Sequence, residues 1–122
     1  MNKVRIAEDK KFQAINASIF DLSHLFDIHF DVVLALNIFH HFLKRKALFD
    51  NLKRLLENLK MDSMFFEPHL CQEESMRDAY QNFGEKEFVD FVMWHAGFTS
   101  SEVIYSDNNG RVVYFLSKRD KL

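Results

Sequence analysis

The sequence has 122 residues, and its 16 basic and 18 acidic residues leave a formal net charge of -2. With 48% hydrophobic and 15% aromatic residues, the chain can bury one core, so we predict a single domain over residues 1–122. No dense basic block stands apart from acidic neighbours, which argues against nucleic-acid and membrane partners. The single cysteine, Cys71, excludes an intramolecular disulfide and a cysteine-based zinc cluster. Without a signal-like or membrane-length apolar stretch, the sequence predicts a cytoplasmic protein.

The amino-terminal part of the chain is predicted to contain the end of a surface helix and two strands. Residues 1–11 are charged with few apolar positions, and residues 12–19 have the spacing of a short strand. Residues 31–36 form a near-continuous apolar run after one acid. This pattern is typical of a strand that is covered on both faces in a parallel sheet.

An amphipathic helix, a strand and a second helix are predicted next. Leucines recur at three- and four-residue steps through residues 43–59, with charged residues on the opposite face. Residues 61–67 form a buried strand that Pro68 ends, because proline cannot donate to a strand ladder. Helical spacing returns over residues 85–95, and Gly97 is a suitable C-terminal cap.

The chain is predicted to finish with a β-hairpin. Residues 102–105 and 111–116 are β-branched and aromatic, and residues 107–110 between them favour a turn. The order of elements predicts an α/β fold whose sheet is mostly parallel and ends in an antiparallel hairpin.

Residues 30–42, FDVVLALNIFHHF, resemble the fourth strand and following turn of class I S-adenosylmethionine-dependent methyltransferases. The likeness continues through the helix at 52–56, the strand at 64–67 and the Ala-Gly-Phe at 96–98. Residues 16–22 are similar to the end of the family's third strand. The resemblance implies part of a Rossmann-like sheet whose full strand order is 3-2-1-4-5-7-6, and S-adenosylmethionine as cofactor.

The resemblance also implies candidate site residues. Ser18 and Ile19 stand where the family contacts adenine, Asp21 is a substitute for the missing acid, and Asn37 and His40 stand beside the methionine end of the cofactor. The cofactor-side candidates are Ser18, Ile19, Asp21, Leu36, Asn37 and His40, and the substrate-side candidates are His41, Glu67 and His69. A structural interpretation stays open, in which Asn37 caps a turn and His40 packs on the sheet.

The sequence departs from the family in its glycines. The first glycine is Gly84, so no glycine-rich cofactor loop precedes it, and we expect only the carboxyl-terminal part of a methyltransferase domain. The six histidines lack the spacing of a metal site, so no metal is predicted. No spacing links Cys71 to a base, which favours an inert thiol.

Two functional hypotheses follow. In the first, the domain is derived from methyltransferases, does not catalyse alone, and acts as a dimeric interaction or small-ligand-binding module. In the second, it is a methyltransferase completed by a partner chain or by dimerisation, so whether it is an enzyme stays open. Two strands between the third and fourth of the family have no counterpart here. We therefore expect one of two arrangements. Either the strand near Ile15 moves against the strand that contains Val33, or the edge of the Val33 strand stays open. In the second case, a homodimer would form through that edge or through residues 12–25.

Overall fold

The computed structural model describes residues 25–70 and 76–118. The helix end and the strand predicted within residues 1–19 lie outside this part of the chain, as do Ser18, Ile19, Asp21 and Cys71. In chain order the described elements are β1 (His29–Leu36), a 3-10 helix (Phe39–Leu43), α1 (Lys46–Asn58), β2 (Lys60–Glu67), α2 (Glu85–Ala96), β3 (Ser100–Ser106) and β4 (Val112–Ser117).

The four strands form one mixed sheet in the order β1-β2-β4-β3. β1 and β2 are parallel, with Val33 opposite Met64, whereas β4 is antiparallel to both β2 and β3. Three of the four strands therefore point in the same direction, and the α/β class and the terminal hairpin are confirmed. The order corresponds to the last four strands, 4-5-7-6, expected from the methyltransferase resemblance.

The helix predicted over residues 43–59 begins three residues later in the structure. A 3-10 helix covers Phe39–Leu43, and α1 begins only at Lys46, because Arg45 has an extended backbone with φ -139° and ψ 152°. From Lys46 onwards the helix is amphipathic as predicted, since Leu52, Leu55 and Leu56 on its leucine face are all buried.

The core lies between the sheet and the two helices. Phe66 of β2 and Phe88 of α2 are fully buried and meet edge to face, with ring centroids 5.1 Å apart. His95 Nδ1 lies 2.6 Å from a carboxylate oxygen of Glu57, a contact that joins α2 to α1. As predicted, α2 ends at Gly97, whose φ of 79° lies in the left-handed region that favours glycine. Within the described residues, no helix has the length and apolar character needed to cross a membrane.

Tyr114 joins the sheet to α2 and makes the stability of the fold depend on pH in the alkaline range. Its hydroxyl donates a hydrogen bond to Glu85 in the first turn of α2. Burial, and then this hydrogen bond, raises the pKa of Tyr114 from 10.0 to about 12. The folded state therefore holds the phenolic proton more tightly than the unfolded state. The resulting stabilisation is complete below pH 10 and is lost as the pH rises through about 12.

We expect one of the three tyrosines to ionise near pH 12 in an absorbance titration at 295 nm, and Tyr114→Phe to remove that step. The free energy of unfolding should fall between pH 10 and pH 12 in the wild type and less steeply in the variant. Equal slopes for the two proteins would contradict this assignment.

Candidate functional site

The carboxyl ends of β1 and β2 bring six of the predicted site residues close together. Asn37 follows β1 with a positive φ of 56°, a conformation that asparagine tolerates better than most residues. Its backbone N–H donates to the carbonyl oxygen of Glu67, at 2.9 Å, and this hydrogen bond fixes the turn after β1 to the end of β2. Ligands of open α/β sheets bind outside the carboxyl ends of the strands.

Three imidazole rings lie in a row beside this turn. The ring centroid of His40 is 4.1 Å from that of His41 and 5.4 Å from that of His69, which it stacks on. His40 and His69 are buried, each 4% exposed, and His41 is half-buried. The 3-10 helix places His40 and His41, whereas His69 comes from the loop after β2. Sequence reasoning named all three rings but could not predict that they stack.

His69 has a defined hydrogen-bonding pattern. Its Nε2 lies 2.9 Å from Oδ1 of Asn82, and its ring meets Phe88 edge to face. Because an amide oxygen only accepts, Nε2 carries the proton in this contact and Nδ1 carries a lone pair. Nδ1 is buried and has no hydrogen-bond partner in the described part of the chain. An N–H or O–H group of a ligand is the complement to such an acceptor.

Glu67 is held by a bidentate ion pair. Its carboxylate, 4% exposed, accepts hydrogen bonds from Nε of Arg111 at 2.7 Å and from Nη2 at 3.0 Å. These hydrogen bonds and the charge of Glu67 raise the pKa of the Arg111 guanidinium. The carboxylate that the sequence assigns to the substrate side is thus already paired.

The turn before β4 positions Arg111. Asp107 accepts hydrogen bonds from the backbone N–H groups of Asn109 and Arg111, at 2.9 and 3.1 Å. The hydrogen bond from Arg111, followed by that from Asn109, lowers the pKa of the Asp107 carboxyl. Sequence reasoning missed Arg111, because it lies 44 residues from Glu67 and only the strand order brings the two together.

The cofactor-side candidates are only partly described. Asn37 and His40 lie at the strand ends as predicted, and Leu36 is exposed beside them. Ser18, Ile19 and Asp21 lie outside the described residues. The roles of these six residues, and those of His41, Glu67 and His69, stay predictions.

Among the described residues, three donor side chains come close enough to share a metal ion at the other end of the sheet. They are His29, Asp31 and Asp62, all exposed. Nε2 of His29 already lies 2.9 Å from Oδ1 of Asp62, so the imidazole pairs with a carboxylate there. The group was not recognised from sequence, since Asp62 is 33 residues away from His29.

Comparison with known proteins supports the resemblance seen in the motifs. A family model described as a methyltransferase domain matches residues 1–59, which include β1 and the whole of α1. Neither the curated proteins nor the solved structures contain a match to the chain. The family match over residues 1–59 and the strand order of the sheet both support the resemblance to class I S-adenosylmethionine-dependent methyltransferase domains.

Proposed function

We propose that this chain is a methyltransferase-derived binding module that does not transfer methyl groups by itself. The observation that carries the proposal is the composition of the matched stretch, since residues 1–59 contain no glycine. A nucleotide-type cofactor needs a backbone that approaches it closely, which in Rossmann-like sheets is the task of a glycine-rich turn. Half of the usual cofactor site therefore has no counterpart in this chain.

The chemistry of methyl transfer sets a strict geometric demand. The sulfonium methyl must lie in line with the acceptor at roughly 3 Å, and positioning of this kind supplies much of an enzyme's rate acceleration. At the carboxyl end of the sheet, Glu67 is bound to Arg111, and His40 and His69 are packed against each other. These contacts favour a rigid binding surface over a complete catalytic site.

As a binding module, the chain would take a small ligand at the carboxyl ends of β1 and β2. There Leu36 and Asn37 are exposed, at the place where open α/β sheets bind their ligands. The second part of the role is self-association as a homodimer. A cytoplasmic location belongs to the same proposal.

The test is production of S-adenosylhomocysteine, because every methyl transfer from S-adenosylmethionine releases it whatever the acceptor. The purified chain is incubated with S-adenosylmethionine and a heat-denatured extract of the source cells, which supplies acceptors but no active partner chain, and the product is quantified against that extract alone. We expect no increase over the extract. Multiple turnovers per chain would overturn the proposal.

A second candidate function is a methyltransferase completed by another polypeptide. It is favoured by β1, which pairs with β2 on one side and with no other described strand, and by Asn37 and His40 at its end. In this case a chain with a glycine-rich strand and loop, encoded nearby, should copurify with the domain. Production of S-adenosylhomocysteine by the mixture, and by neither chain alone, distinguishes this candidate from the first.

A further inference from the structure

β1, the strand at one edge of the sheet, presents an apolar stripe on one face of the sheet. Val32, Leu34 and Leu36 alternate along the strand and are 48%, 66% and 47% exposed. The other edge of β1 is hydrogen-bonded to β2 over its length, and no described strand covers the outer edge. An eight-residue strand of this kind carries a row of backbone donors and acceptors that can pair with another chain.

The opposite edge of the sheet is built differently. β3 begins with Ser100, Ser101 and Glu102, and its pairing with β4 is interrupted between Val103 and Tyr105. Polar residues and irregular pairing are features by which proteins protect edge strands from association. β3 also exposes Val103, Ile104 and Tyr105, so the feature that distinguishes the β1 edge is its uninterrupted pairing and not its apolar content.

An apolar slot lies beside the exposed edge of β1. It has a volume of about 170 Å³ and is bounded by β1, α1 and the 3-10 helix. Its lining includes Leu34 and Ala35 of β1, Phe39 and Phe42 of the 3-10 helix and Leu55 of α1. A strand paired with this edge would place alternate side chains beside the slot on one face of the sheet and beside the stripe on the other.

We propose that β1 pairs antiparallel with β1 of a second copy, centred on Leu34, to form a continuous eight-stranded sheet across a two-fold axis. The stripe is symmetric about Leu34, so this register places Val32 beside the second copy's Leu36 and Leu34 beside its equivalent. Apolar cross-strand pairs of this kind stabilise antiparallel strands. The two-fold arrangement is closed, because residues 32–36 of each copy pair with the same residues of the other.

The charges around β1 favour an antiparallel partner over a parallel one. Exposed Asp27 and Asp31 lie at the amino end of the strand, and Lys44 and Arg45 follow its carboxyl end. An antiparallel pair brings the acidic end of one copy towards the basic end of the other. A parallel pair would instead align like charges, which is unfavourable at an interface.

This inference rests on the homodimer of the proposed function and names the outer edge of β1 as the surface that forms it. The two can fail separately. A monomeric chain that produces no S-adenosylhomocysteine would overturn the homodimer and leave the non-catalytic role standing, whereas turnover by the chain would overturn the non-catalytic role at any mass.

The experiment is sedimentation equilibrium of the wild type and two matched variants at 10–100 µM, roughly the range in which micromolar association is measured. Leu34→Lys places a charge on the stripe, and Ile104→Lys makes the same change at a 48% exposed position of β3. We expect twice the 14.5 kDa chain mass for wild type and Ile104→Lys, and a dissociation constant raised at least about 100-fold for Leu34→Lys. Circular dichroism checks that both variants fold.

A crosslink tests the register. In a Cys71→Ser background, Leu34→Cys should form a covalent dimer on mild oxidation, because opposed residues of antiparallel strands lie within disulfide distance. Ile104→Cys is the control and should remain monomeric on a denaturing gel. A monomeric wild type, dissociation by Ile104→Lys alone, or equal crosslinking of both cysteines would overturn the proposal.

Discussion

Replacing Phe88 by alanine is expected to lower the free energy of unfolding by about 3–5 kcal/mol. Phe88 is fully buried, and its ring lies 5.1 Å from that of Phe66, 5.3 Å from that of Phe83 and 5.7 Å from that of His69. Alanine would leave a cavity that these rigid rings cannot fill without leaving their preferred geometry. The loss is comparable with the whole stability of a marginal domain, so the variant should be partly unfolded at 37 °C.

The same helix offers a matched control. Trp94 is 82% exposed, and Trp94→Ala should change the free energy of unfolding by less than about 0.5 kcal/mol. Urea denaturation followed by circular dichroism measures the free energy of unfolding of both variants, each of which has one aromatic residue of α2 replaced by alanine. Similar midpoints for Phe88→Ala and Trp94→Ala would contradict the placement of the core between α2 and the sheet.

Arg111→Ala is expected to destabilise the fold more than Glu67→Gln does. Removal of the guanidinium leaves the Glu67 carboxylate, 4% exposed, without its bidentate partner, and desolvation of an unpaired buried group costs about 1–3 kcal/mol or more. Glu67→Gln removes the buried charge itself, and the Arg111 side chain, 55% exposed, can then turn to water.

A double-mutant cycle measures this asymmetry. The combined variant Glu67→Gln with Arg111→Ala should recover part of the stability lost in Arg111→Ala, since no buried charge remains. Chemical denaturation at pH 7 gives the four free energies. Additive losses would show that the two side chains do not depend on each other and would contradict the ion pair.

The local elements of the fold could be predicted from sequence because each has its own signal. The apolar run of β1, the leucine spacing of α1, Gly97 after α2 and the Asp107–Gly110 turn are all readable within a few residues. The break between the 3-10 helix and α1 was not predicted, because leucine spacing alone does not reveal that Arg45 is extended.

The candidate site could be predicted only where its residues follow a strand. Asn37 and Glu67 end neighbouring parallel strands, so their proximity follows from the fold class. Arg111 and Asn82 could not be predicted, since their partners Glu67 and His69 are brought to them by the strand order and by loop paths. The stacking of His40 on His69 likewise depends on packing that no local pattern specifies.

Calorimetric titration of the purified chain with S-adenosylhomocysteine tests the central claim most directly. A module without its own cofactor loop should give no saturable heat up to about millimolar ligand, the weak end of specific affinities. Saturable one-to-one binding at micromolar strength would contradict the claim, because it would mean that this chain alone holds the cofactor.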